Sequence, residues 1–488
     1  MAKYPELENI FGSERVETGK RALSEFAHDQ SFVAGKTPCC VVKPKDTEEI
    51  LALVRLANEQ RLSLIPCSSK PPRFRADTVP SVANAVMVDL SGMDRIVRID
   101  ARAKVAMIEP GVTFDQLQNA AHAQGLRVVM PLLPRKTKSV LGAYLEREPN
   151  TIPKYHWDMS DPLCCIEIVF GAGEIFRTGS AAGPGTLEQQ WASKQAQKSP
   201  MGPNQTDFLK LVHGSQGTMG IVSWSTVKLE LNPTVQESYL VGMASLDELL
   251  GFTYAIVKSR YTDEVLILNK LDLACLYAQS PSEITKLAGK LPEWILMYSI
   301  AGYRDLPEKR VQYLKLDIQD QAAKMGIVPV QNLASVSAVR VAELLTHASQ
   351  DPYWKLRLKG ACEDIFFITT LDRSPEFVAA VNEEARRAGP DAFQIGVYIQ
   401  PIQQGRNVHM EFNLMYPSDD AATVKKVKAL HKALSKRCMD MGGFFNRPYG
   451  PWADMVYKRC PDTVSALNKV KSIFDPNRVM NPGKLCYE

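Results

Sequence analysis

The sequence predicts a mixed α and β protein of two domains. Three observations carry that reading: a strand–helix–strand unit near the start, a following run of short strands punctuated by glycines, and a change of character near residue 236. From there to about 440, long amphipathic segments alternate with strands.

Taken in order, "CCVVKP" is a short β-branched run. "DTEEILALVRLANEQ" opens on an Asp cap with an acidic first turn and places Ile50, Leu51, Val54 and Ala57 on one face, and "LSLIP" is again strand. "AVMVDLSGM" and the alternating "RIVRIDARAKVAMIEPG" continue as strands. The helix "TFDQLQNAAHAQG" closes on Gly125 as a C-cap. After "LRVVMP", "CCIEIVFGAGEIFRTG" reads as a hairpin with glycine at the turn, and "GTMGIVSWSTVKLELNP" as another strand pair. In the second domain, "PEKRVQYLKLDIQDQAAKMG" is a helix, and "FQIGVYIQP" and "NVHMEFNLMYP" are strands around a Gln-Gln-Gly turn. That pairing places His409, Glu411 and Asn413 on one face and Met410, Phe412 and Leu414 on the other.

Composition excludes several functions. The 488 residues are 45% apolar and 23% charged, and the formal charge of +4 is small and scattered, so there is no footprint for nucleic acid. The first twenty residues have no apolar leader, and no stretch approaches the roughly 18 apolar residues of a membrane span, which makes the cytoplasm the expected compartment. Ten cysteines include the neighbours Cys39-Cys40 and Cys164-Cys165 but no CxxC, so no zinc ribbon or iron–sulfur cluster is expected and the thiols read as reduced and structural.

The ordered motifs "VVKPKDTEEILALVRLANEQRLSLIP", "MVDLSGMDRIVRIDARAKVAMIEPGVTFDQL", "CIEIVFGAGEIFRTG", "GSQGTMGIVSWSTVKL" and "SIFDPNRVMNPGK" span nearly the whole chain. In them the sequence resembles the vanillyl-alcohol oxidase and p-cresol methylhydroxylase family. "SVLG" with the following "ER", and the "HW" of "KYHWDMSD", resemble the branch that oxidises phenols and aromatic alcohols. The resemblance implies an FAD-binding domain of two α/β subdomains over residues 1–235, and a cap domain over 236–440 whose antiparallel sheet, flanked by helices, covers the flavin. A terminal segment, 441–488, would return to the first domain. Hydride would pass from an alcohol, a hydroxy acid or a phenolic substrate to flavin N5. The electrons would go on to a separate iron–sulfur protein, electron-transferring flavoprotein or cytochrome, with oxygen left open as acceptor and a homodimer one open assembly. The alternative from a different class is a flavin-binding relay subunit without its own substrate.

Against that family, the loop "PCSSKPPRFRADTVP" at 66–80 is unusual. The position normally offers successive backbone N–H groups to the diphosphate, but here it has no glycine, and Pro71 and Pro72 lack an N–H. Ser68, Ser69, Lys70 and Arg73, with Pro66 at the loop's start, are expected to substitute hydroxyl and charged donors. "PLLPRKTKSVLG" repeats the pattern, with Arg135, Lys136 and Lys138 ahead of Ser139 and Gly142. Trp157, Asp158, Gly220, Ile221, Asn481 and Lys484 complete the cofactor set that the resemblance implies. The histidine usual beside the diphosphate loop is absent, so FAD is expected to be held noncovalently.

The resemblance also places an arginine, Arg447 in "FFNRPYG", where negative charge develops on the flavin. Relatives that bind phenolates have tyrosines where this chain has Arg75 and Asn446, so a tyrosine-held phenolate is not implied here, and an Arg75 and Arg447 pairing would instead suit a carboxylate or another anionic group. Tyr449 is an alternative phenolic contact. His409 is the candidate general base with Glu411 as its orienting partner. A divalent metal on that pair is the runner-up, and two ligands are too few to predict one. His156, beside Trp157, stays unassigned, and the remaining histidines are given structural roles.

Overall fold

The computed structural model describes residues 4–159, 161–193, 197–203, 206–389 and 393–487. The first sheet comprises β1 (Val16–Glu17), β2 (Cys40–Val42), β3 (Leu64–Cys67) and β4 (Val86–Asp89), in the order β1-β2-β4-β3. β2 and β3 both run parallel to β4, so β4 inserts between the two strands of the strand–helix–strand unit. The helix joining them, Thr47–Gln60, starts where the Asp46 carboxylate accepts the Glu49 N–H, and it buries Ile50, Leu51, Val54 and Ala57 as their spacing predicts.

A second, antiparallel sheet follows: β5 (Ile96–Asp100), β6 (Val105–Ile108), β7 (Leu126–Val128), β8 (Leu163–Phe170), β9 (Ile175–Arg177) and β10 (Gly220–Leu231). Its order is β5-β6-β10-β8-β9, with β7 also on β10. The expected strand pair at 217–233 is one twelve-residue strand, β10, at the centre of this sheet. Beyond Gly220 it contains no turn residue, and a register shift against β8 between Val222 and Trp224 supplies the bend that a turn would have made. The helix after β6 ends at His122, ahead of Gly125, which takes φ +71° in the turn that follows.

The third sheet is antiparallel and six-stranded. Its strands are β11 (Val235–Met243), β12 (Val265–Asn269), β13 (Trp294–Gly302), β16 (Gly360–Thr369), β17 (Gln394–Ile402) and β18 (Asn407–Pro417), in the order β11-β13-β12-β17-β18-β16; β14 (Asn332–Leu333) and β15 (Val336–Ser337) pair separately. One apolar core, with Phe252, Val311, Phe377 and Leu434 from four helices, packs against Met410, Phe412 and Leu414. The opposite strand face, with His409, Glu411 and Asn413, is also buried rather than solvated. Register aligns Phe366 and Tyr398 with Glu411, and Asp364 with Asn413, so these side chains share that face.

The chain's last residues return to the first sheet. Met480 bridges Leu64, and Val479 and Met480 sit in the core with Val54 and Val86. Among the described residues no helix is long and apolar enough to cross a membrane.

Candidate active site

Two connected hollows lie where the third sheet's polar face meets the loops of the first two sheets. The first is a groove of about 900 Å³ walled by Pro66, Ser68, Ser69, Gly142, Gly220 and Ile221. Close backbone approach keeps it open. A Cβ on Gly142 would stand 2.9 Å from Ser68 Oγ, and Gly217, at φ +71°, would drive one to 2.5 Å from Pro66 Cγ. The 66–80 loop is pinned at Ser69, whose Oγ accepts the Ser139 N–H at 3.0 Å, and at Pro71, whose carbonyl accepts from Thr137 Oγ1. Ser139 itself is fully buried behind the wall as a helix cap: its Oγ accepts the Gly142 N–H and donates to the Pro110 carbonyl.

Of the charged donors expected from this loop, Arg73 lines the groove but is already engaged, and Lys70 lies outside it. The Arg73 guanidinium turns away, donating to the Glu25 carbonyl at 2.6 Å and stacking on Phe26, because a buried carbonyl and an aromatic face compete for it. Lys70 is exposed and outside the groove walls. Lys484 donates to the carbonyls of Ala76 and Val79, and Asn481 to those of Asp77 and Gln216, so both tie the terminal segment to the groove's outer wall. Trp157 is 58% exposed, flanked by Arg260 and Arg406, and Asp158 pairs with Lys210; neither lines the groove. His156 is buried against Asp161 at 2.9 Å.

Arg73, Arg75, Arg135 and Lys138 all line the groove. Arg135 stacks on Phe74, its Nε has no hydrogen-bond partner, and burial lowers its pKa. Lys138 is held between Glu146 at 2.7 Å and Glu148 at 3.0 Å. Burial lifts Glu146 to about 7 in spite of Lys138, whereas Glu148, buried too, is held down near 2 by Lys138, Arg75 and Arg447.

The second hollow, a cavity of about 680 Å³, shares Phe74, Arg75, Arg135 and Lys138 with the groove. His409 and Glu411 project into it from β18, with Nε2 and Oε2 3.2 Å apart. Burial lowers His409 to about 4 against the pull of Glu411. The ring is therefore neutral near pH 7: Nε2–H donates to Glu411, and Nδ1, which has no partner, keeps its lone pair. Lys355 bridges Glu411 at 2.5 Å and Asp364 at 2.8 Å, and Asp364 also takes Arg75 at 2.9 Å. Arg75 is thus committed to a carboxylate, where the sequence reading had it free for an anion. Arg447 differs. It is 2% exposed and lies 4.2 Å over the Phe366 ring, its Nε and Nη1 have no hydrogen-bond partner, and burial lowers its pKa.

Asn446 and Tyr449 flank Arg447 but stay out of this cavity. Asn446 packs its amide on Met159, and Tyr449 stands edge-on to Phe366 in a neighbouring space. Lys355 and Asp364 were missed in the sequence. Asp364 shares strand parity with Cys362 and Phe366, which is the only signal for it; Lys355, in "YWKLRLKG", carries none.

Residues 38–179 match the family described as FAD binding domain, and residues 232–485 match the FAD linked oxidases, C-terminal domain. D-2-hydroxyglutarate dehydrogenase of Stutzerimonas stutzeri is 23% identical over 99% of this chain and 98% of its own length. D-lactate dehydrogenase of Anaerostipes hadrus is 23% identical over 97% of this chain and 95% of its own. Among solved structures, p-cresol methylhydroxylase with substrate bound superposes with a TM-score of 0.84 at 18% identity, over 99% of this chain and 96% of that one.

Proposed function

The chain belongs to the FAD-linked oxidases, and from that premise we propose that it dehydrogenates a 2-hydroxy acid. It is an FAD-dependent oxidoreductase, and its own residues suit the cofactor: the groove is kept clear by glycines and walled by hydroxyls, with the unsatisfied Arg135 Nε at its edge. When bound, FAD supplies the hydride acceptor.

The single observation that supports the substrate class is Arg447, a buried guanidinium whose Nε and Nη1 have no hydrogen-bond partner among the described residues, beside a neutral, oriented histidine. An unpaired buried charge is costly, and a carboxylate-bearing ligand is the partner that relieves it with matching planar geometry. In this reading Arg447, with Arg135 nearby, takes the substrate carboxylate and the negative charge that develops at the flavin. His409 Nδ1 accepts the hydroxyl proton as hydride leaves the adjacent carbon, and Glu411 stabilises the imidazolium that results. The product is the 2-oxo acid, and the electrons pass to a separate acceptor protein. The relatives that act on D-2-hydroxyglutarate and D-lactate agree with this class.

Anaerobic addition of a panel of 2-hydroxy acids, their neutral amides and 4-alkylphenols to the yellow holoenzyme tests it. Bleaching by a hydroxy acid in preference to its amide is expected. Bleaching by phenols alone, or equally by the amides, ends this reading.

A further inference from the structure

Every wall residue of the reaction cavity is buried or half-buried, and FAD held in the groove would fill the side that the two hollows share. The substrate needs another way in. Phe74, Arg75, Cys362 and Asp364 also wall a small space, and that space shares Val33, His431, Gly450 and Trp452 with a larger outer hollow. The outer hollow's rim includes the exposed Lys428 and Lys432, one helical turn apart on the helix Ala421–Asp440.

We infer that these two spaces are the substrate's entry channel, with the Lys428 and Lys432 mouth gathering anionic substrates and the Arg75–Asp364 pair closing its inner end. This rests on the hydroxy-acid reading for the charge selection, though not for the route. The neck is built to stay open yet narrow. Gly450, at φ +48°, has no Cβ, and one placed there would stand 2.9 Å from Val33 Cγ2. The opposite wall is rigid: His431 stacks on Trp452 at 5.6 Å and donates Nε2–H to the Asp364 carbonyl, and Trp452 Nε1 donates to Ser435 Oγ. Burial lowers the pKa of His431 to about 4 and raises that of Glu363, and Lys428, Lys432 and Lys484, offset by Asp454, make the hollow cationic, with the two exposed lysines at its mouth. At the inner end Arg75 lies on Phe366 and touches all three hollows, so a small swing of one side chain from Asp364 opens the passage.

Cys362, at the inner end, reports on passage without any substrate. Holoenzyme is exposed to neutral methyl methanethiosulfonate or to its anionic sulfonatoethyl analogue. The Cys362 thiol then displaces methanesulfinate to form a mixed disulfide, whose rate of appearance is read by peptide mass. Val33→Phe, checked for retained FAD absorbance, is expected to slow both reagents about tenfold, and Lys428→Glu with Lys432→Glu to slow only the anionic one, about fivefold, with the difference vanishing at high salt. Because burial raises the Cys362 thiol's pKa, labelling is followed at alkaline pH, and equal rates there in the parent and Val33→Phe overturn the route. Anionic and neutral reagents slowed alike by the lysine reversals overturn the steering. A flavin that no hydroxy acid bleaches, with the Cys362 results intact, shows instead that the substrate class is wrong.

Discussion

The groove and the reaction cavity both carry arginines, and they treat them oppositely. Arg73, at the groove, is absorbed by the protein itself: a backbone carbonyl and a phenyl ring satisfy it. Arg447, at the cavity, is buried with Nε and Nη1 unsatisfied. The first arrangement stabilises the apoprotein and leaves nothing for a ligand; the second costs the apoprotein free energy that only a bound anion returns. A cation in a loop is therefore a ligand site only where the fold withholds partners from it.

The comparison breaks most visibly if the cavity's charges prove dispensable. Lys355 joins two buried carboxylates, so Lys355→Ala leaves Asp364 with Arg75 alone and Glu411 with only the neutral His409, and is expected to cost about 3–5 kcal/mol in denaturant unfolding. The exposed Arg95, paired with Glu109, makes the control: Arg95→Ala is expected to cost under about 1 kcal/mol. Equal losses in the two variants would mean that the cavity network is ordinary surface electrostatics.

Next is Arg447 itself. Arg447→Ala is expected to slow flavin reduction about 100-fold, roughly 2.7 kcal/mol, with FAD retained, because a preorganised charge is lost where charge develops. The same variant should be no less stable than the parent, since it removes an unsatisfied buried cation. Normal reduction rates in stopped flow would reduce Arg447 to a packing residue. His409 adds a pH test. With its pKa lowered to about 4, the base stays competent well below pH 6.5, so the acid limb of the reduction rate should fall near 4 rather than near the ordinary histidine value.

The groove gives a smaller contrast. Arg135→Ala is expected to weaken FAD binding about tenfold, near 1.4 kcal/mol, and Arg73→Ala to leave affinity within about twofold while lowering thermal stability. Reversal of that order, measured by FAD titration of apoprotein, would return Arg73 to the role its sequence position suggests.

Much of this was legible before the structure. The Asp46 cap, the apolar spacing behind it and the alternation in "NVHMEFNL" are local signals, and local signals fixed the helix and the His409–Glu411 face. The motifs then carried the cofactor. What the sequence could not carry was the direction of long side chains. Arg73, Lys484 and Arg75 were read as ligand-holding cations, but each has its charge spent on a carbonyl or carboxylate brought there by a remote segment. The Lys355 bridge was invisible for the same reason: it joins a loop to two strands, and no spacing within one segment encodes it. The long strand β10 was misread as a pair although it has no turn residue beyond Gly220; strand propensity alone does not say where one strand ends and the next begins.

The smallest expected effect concerns a carboxyl placed where a diphosphate belongs. Glu146 walls the groove next to Lys138, with Asp77 close enough to help burial raise its pKa from the ordinary value to about 7. Below that value the carboxyl is neutral and can donate its O–H to a phosphate oxygen; above it the group is an anion facing another. FAD affinity should therefore fall as pH rises from 6 to 8, by about threefold to fivefold because Lys138 and solvent offset part of the repulsion. The apoprotein has the matching sign. A pKa raised on folding gives stability that is complete below the unfolded value, near 4.5, and lost as pH climbs through about 7. Glu146→Gln keeps the hydrogen bond and removes the proton, so both slopes should flatten together in FAD titrations and denaturant melts across that range. A parent protein with no slope between pH 6 and 8 would mean that Lys138 holds Glu146 ionised throughout, and that the groove tolerates an anion beside its diphosphate.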